Sequence, residues 1–120
     1  MENTKTFHEE LKEKMDEYVH VVYRVTKNFP KDELYGVTSQ LRRATLSVIL
    51  NYVEGFARDV SKKNLVYKNF LEISFGSLKE SEYLIGFCLK ENYLTEAEYK
   101  KLTELSSKIG AMLWGILRKI

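Results

Sequence analysis

The chain has 120 residues and a mass of 14.1 kDa, one domain's worth. Hydrophobic residues make up 44% and charged residues 30%, which excludes a disordered chain and a membrane protein. The net charge of +2 is too small to name a nucleic-acid partner by itself, and a single Cys excludes an intramolecular disulfide.

The N-terminal stretch from Met1 to Lys14 is dense in charge and holds no apolar leader segment. No run of about 18 apolar residues follows, so the expected setting is cytoplasmic, with no membrane contact. The first predicted helix runs over about residues 6–28. Phe7, Leu11, Met15, Tyr18, Val22, Val25 and Phe29 recur in steps of three and four, with charged residues between them. Thr6 and Glu9 have capping-box spacing at its start, and Pro30 stops it. Residues 30–36 read as a connection with one short helical turn.

The second helix, about 37–58, has a narrow polar stripe of Gln40, Arg43, Ser47, Asn51, Glu54 and Arg58. Apolar residues cover almost all the rest of it, which predicts burial on more than one side. Ser61 is the expected N-cap of the third helix, about 62–91. Small residues there, Ser74, Gly76, Ser77 and Ser81, allow a neighbouring helix to approach. Thr95 and Glu98 form a second capping-box pattern, Leu94 is placed to staple to Tyr99, and the fourth helix follows over about 96–119. Short connections make sequential helices antiparallel neighbours. The fold class is all-α: an antiparallel up-down-up-down four-helix bundle, one domain over residues 1–120.

Chemistry is sparse. A di-iron bundle needs two Glu-x-x-His pairs, and only Glu17 with His20 fits; both lie off the apolar face, and His8 stands apart. Cys88 has no histidine near it in the pattern and reads as a small buried hydrophobe. The expectation is no enzyme, no cofactor and no metal. The polar stripe has two readings. It is either a solvated helix face, or a buried network at a helix or subunit contact. Ser47 and Asn51 are short and uncharged where other faces of this chain carry Lys and Glu, which favours the network. Arg42, Arg43, Arg58, Lys62 and Lys63 cluster around the second helix and the turn after it. They are the candidate contacts to RNA or DNA, electrostatic and weakly sequence-selective.

The string Phe29-Pro30-Lys31-Asp32-Glu33-Leu34-Tyr35-Gly36, then Gln40-Leu41-Arg42-Arg43-Ala44, then Ser47, Asn51, Glu54 and Gly55, resembles the signature of a bacterial family. Its members are four-helix-bundle proteins encoded in intervening sequences of 23S ribosomal RNA genes. Gly76-Ser77-Leu78 followed by Glu80 resembles the family's second signature. Ser77 and Glu80 therefore join Gln40, Ser47, Asn51 and Glu54 as candidates for the polar network or interface. The resemblance implies a homo-oligomer, with a ring-like homopentamer favoured. It also implies kinship with the accessory protein of diversity-generating retroelements, which binds nucleic acid and a reverse transcriptase. The expected function is a non-enzymatic oligomeric scaffold that binds nucleic acid. The alternative is a protein–protein adaptor that assembles a partner such as a reverse transcriptase.

Overall fold

Local chemistry sets the helix ends. In the computed structural model, which describes residues 4–58 and 65–120, helix α1 spans Phe7–Thr26. The Thr6 hydroxyl accepts from the Glu9 N–H at 3.1 Å, and the Thr6 N–H donates to the Glu9 carboxylate at 2.9 Å. That reciprocal pair satisfies two otherwise orphaned donors. The same arrangement of Thr95 and Glu98 opens helix α4, Glu96–Leu117. Helix α3, Leu65–Lys90, closes on Asn92, which has a left-handed φ of 62°. The Tyr93 N–H reaches the Cys88 carbonyl at 2.8 Å and the Asn92 N–H reaches Leu89 at 3.0 Å, the bond pattern of a Schellman cap.

The connection after Pro30 is more ordered than one short turn. A 3₁₀ turn at Lys31–Glu33 runs into a π-helical turn at Leu34–Thr38 that is kinked at Gly36. Helix α2 therefore starts at Ser39 and runs to Arg58, two residues later than the apolar spacing predicts. The Glu33 carboxylate accepts from the Val37 N–H at 3.3 Å and from the Tyr93 hydroxyl at 3.1 Å, which ties this turn to the far end of α3. The expected N-cap Ser61, with Lys62 and Lys63, lies outside the described residues.

Leu11, Met15, Tyr18 and Val22 of α1 meet Leu41, Val48 and Tyr52 of α2, Leu71, Leu78 and Ile85 of α3, and Leu102, Ile109 and Leu113 of α4 in one buried core. Each set repeats at steps of three, four or seven, the period of a single helical face. α2 packs on α1 and α3, and α4 packs on α1 and α3. Cross-contacts fix the directions. Arg42 near the start of α2 meets Thr26 at the end of α1, while Tyr52 meets His8 at its beginning. Ser47 meets Ser77, and Gly55 meets Phe70, so α3 runs back along α2. Gly110 approaches Leu78, and Trp114 approaches Phe75, further toward the start of α3. The molecule is an all-α four-helix bundle with antiparallel neighbours, and the described residues contain no strand.

Tyr18 and Ser81 follow the rule that buried polar groups find partners. The Tyr18 hydroxyl bonds the Ser81 hydroxyl at 2.7 Å, and Ser81 donates to the Leu78 carbonyl at 2.7 Å. Desolvation pushes the Tyr18 phenol well above its usual range. Cys88 is fully buried, and burial with the nearby Glu33 charge pushes its thiol up to about 11.

Candidate assembly and binding surfaces

The α2–α3 seam holds the polar residues that the sequence singles out. The Asn51 amide donates to the Ser47 carbonyl at 2.9 Å and to its hydroxyl at 3.0 Å. The Ser47 hydroxyl meets that of Ser77 at 2.7 Å, and the Ser74 hydroxyl donates to the Val48 carbonyl at 2.7 Å. The two backbones come close because the residues between them are small. A Cβ on Gly55 would sit 2.6 Å from the Phe70 Cβ. Gly76, grouped with these small residues by sequence, instead faces open space.

Within the chain the polar stripe divides. Ser47, Asn51 and Ser77 are half-buried and bonded to one another, whereas Gln40, Arg43, Glu54, Arg58 and Glu80 are exposed. Glu54 takes the plainer reading: it pairs with Arg58 at 2.7 Å, one helical turn on. The stripe lies along the edge of α2. Only its middle meets the small side chains of α3 that allow close approach.

The cationic cluster divides as well. Arg42 is not a free surface charge: its Nε donates to the Thr26 hydroxyl at 2.8 Å, and its guanidinium lies 4.6 Å from the centre of the Tyr23 ring. It pins the start of α2 to the end of α1. Arg43 is exposed. Arg58 holds Glu54 and lies over the Phe70 ring, while Lys62 and Lys63 are outside the described residues.

Turning outward, α2 presents Leu46, Leu50, Val53 and Ala57 at steps of four, three and four, opposite its buried face. Leu50 is 60% exposed and Val53 40%, and Ile73 on the adjoining side of α3 is 51% exposed. The apolar excess of the second helix is thus present at the surface. Arg43, Glu54 and Glu80 are exposed on the same α2–α3 side.

By spacing alone His8 stands apart as a surface residue. The structure corrects this: His8 is half-buried, its Nδ1 is hydrogen-bonded to the Tyr52 hydroxyl, and its ring stacks on Phe56 with centroids 4.6 Å apart. The partners are more than forty residues away, so no local spacing could show them. Burial and the neighbouring Tyr67 push the Tyr52 phenol up. His20 is exposed and faces Asp16 at 3.4 Å, and Glu17 pairs with Lys101 at 2.9 Å. Among the described residues no group of three or more His, Cys, Asp or Glu is placed to hold a metal, and no helix is long and apolar enough to cross a membrane.

A family model described as 23S rRNA-intervening sequence protein matches residues 8–115. No curated protein matches the sequence. A crystal structure from Bacteroides thetaiotaomicron, described as a protein with unknown function from the S23 ribosomal protein family, superposes with a TM-score of 0.82. It is 19% identical, and the alignment covers 94% of this chain and 99% of that one, so the likeness extends over the whole fold.

Proposed function

The chain belongs to the 23S rRNA-intervening sequence protein family, and from that premise we propose that it works by assembly, as a non-enzymatic homo-oligomeric scaffold. The observation that carries this is the outward apolar stripe of α2, with Leu50 and Val53 exposed beside Ile73 of α3. An apolar face of this kind on a folded chain fits an interface. Its natural occupant is another copy, because the same face offers both signs of charge, Arg43 against Glu80. A face with both signs can satisfy its own charges across a symmetric or cyclic contact. Five subunits is the number that the family resemblance implies.

The assembled scaffold binds RNA or DNA through Arg43 and Arg58, with Lys62 and Lys63 following in the sequence. Arg42 is not part of this reading, since it is half-buried with its guanidinium held by Thr26 and Tyr23, whereas Arg58 stays exposed while it pairs with Glu54. A ring multiplies each subunit's few cations, and phosphate binding scales with the number of neutralised charges. The alternative, an adaptor for a partner such as a reverse transcriptase, draws on a second exposed cluster at the other end of the bundle. There Leu34, Tyr35, Tyr83 and Phe87 stand out around the π-helical turn.

Light scattering at micromolar protein tests the assembly. The expected mass is a multiple of 14.1 kDa, and a mass of 14.1 kDa would overturn it. Retardation of RNA or DNA at low salt tests the binding. Loss of retardation with rising salt supports the scaffold reading, and no retardation of either polymer favours the adaptor.

A further inference from the structure

The start of α1 and the end of α4 meet at one end of the bundle, around a cavity of about 460 Å³. Phe7, His8, Tyr67, Ile116, Arg118 and Lys119 help to line it. This volume falls within the range of small-molecule sites. Its histidine ring is fixed before any ligand arrives. His8 is held by the Tyr52 hydroxyl, stacks on Phe56, and meets Phe7 edge-on at 5.8 Å with an interplanar angle of 89°. Arg118 and Lys119 are exposed at the rim beside Ile120, which also lines the cavity, and no described lining residue has an acidic side chain.

The other cavities differ. The one between α1 and α4 mixes Lys14, Lys101 and Lys108 with Glu17 and Glu104, and Lys101 is already paired with Glu17. The one along α1 has Glu9, Glu13 and Asp16 in its wall. The one beside Gly36 contains Glu33, whose two carboxylate oxygens are both taken. Cations at the end of a helix have a plain electrostatic reason to be there. What distinguishes this end is the cation pair beside an aromatic hollow with no acidic side chain in its described wall.

Flat π-faces next to positive charge suit a nucleotide, whose base stacks while its phosphate pairs. We propose that this cavity takes one unstacked nucleotide of a single-stranded nucleic acid, the base against Phe7 and His8 and the phosphate on Arg118 and Lys119. The inference rests on the nucleic-acid reading above and sharpens it. A duplex keeps its bases stacked inside and cannot offer one to the hollow. Single strands are therefore preferred, with little dependence on base identity.

Fluorescence anisotropy with a short labelled single-stranded oligothymidylate, and with a duplex of the same length, tests this on the full chain. The single strand is expected to bind more tightly. Phe7→Ala is expected to weaken it by about fivefold or more, the size of losing one stacked base. The pair Arg118→Glu with Lys119→Glu is expected to weaken it further and flatten its salt dependence. Phe7→Tyr restores binding, which separates stacking from a general disturbance of α1, and circular dichroism melts check that each variant is folded. Equal binding of duplex and single strand, with both variants neutral, overturns the cavity proposal and leaves the electrostatic reading intact. Binding of neither polymer overturns both. Displacement of the single strand by laurate but not by thymidine monophosphate also overturns it, in favour of a lipid anion.

Discussion

Cys88 and the buried tyrosines link single residues to the stability of the whole. The Cys88 thiol is pushed up to about 11 from an ordinary value of 9.0. Between those values the unfolded chain sheds a proton that the folded chain keeps. The unfolded state then binds fewer protons, so stability falls as pH rises. It is intact below about pH 9 and lost progressively through pH 11, and the raised Tyr18 and Tyr52 phenols continue the loss beyond that. Urea melts at stepped pH should show the midpoint falling over this window, and Cys88→Ala should flatten its first part. At the α2–α3 seam, Gly55→Ala forces a Cβ against Phe70 and should cost about 1 to 3 kcal/mol. Asn51→Leu removes two hydrogen bonds at a half-buried position and should cost about 1 kcal/mol. Glu54→Ala removes only an exposed pair and should stay within about 0.5 kcal/mol. The sequence shows why Ser47 and Asn51 are unusual for a surface, since both are short and uncharged. It does not show that Glu54, three residues on, escapes burial, because that depends on which side chain of α3 lies opposite.

Helix ends are the most legible elements, because their chemistry is local. Thr6 with Glu9 and Thr95 with Glu98 are visible as spacings and fold as capping boxes. Thr95→Ala should cost about 1 kcal/mol in a thermal or urea melt. The cap that closes α3 has no such signature. Asn92 carries the left-handed turn, and glycine would adopt it more readily. Asn92→Gly should therefore raise the melting midpoint or leave it unchanged, while Asn92→Val should lower it by the equivalent of about 1 to 2 kcal/mol. The π-helical turn at Leu34–Thr38 was also hidden. Val37 continues the apolar spacing of α2 and is buried, so periodicity alone carries the helix two residues too far. The backbone is re-aimed at Gly36, whose φ of −108° and ψ of −116° are not helical, and the turn is braced by Glu33, which reaches to the Val37 N–H and to Tyr93 sixty residues away. Such a bond leaves no trace in local spacing.

For the whole molecule, apolar periodicity with short connections is enough to specify four antiparallel helices, because each element has one face to bury. The same spacing exposes its own surplus: Leu50 and Val53 have no place in a core already filled by Leu41, Val48 and Tyr52. Leu50→Glu places a charge in the proposed subunit contact while leaving the core untouched. It should shift the light-scattering mass toward 14.1 kDa with the melting curve of the separated chain unchanged. If Leu50→Glu retains the wild-type mass, the contact lies elsewhere. The end cavity was not legible as a unit. Phe7 reads as a core position of its own helix, and only the antiparallel return of α4 brings Ile116, Arg118 and Lys119 beside it.

Trp114, the single tryptophan, stands 56% exposed beside Phe75 in the outer groove between α3 and α4. The protein thereby carries its own optical gauge. An indole already in contact with water changes colour little on unfolding, so its emission is a poor thermometer of the bundle. A neighbour that covers the groove would strip that water away and move the emission to shorter wavelength. Dilution through the association range would reverse the shift if the neighbour is another copy. A titration of unlabelled protein against its own concentration can thus report whether this groove, as distinct from the α2 face, is closed in the assembly.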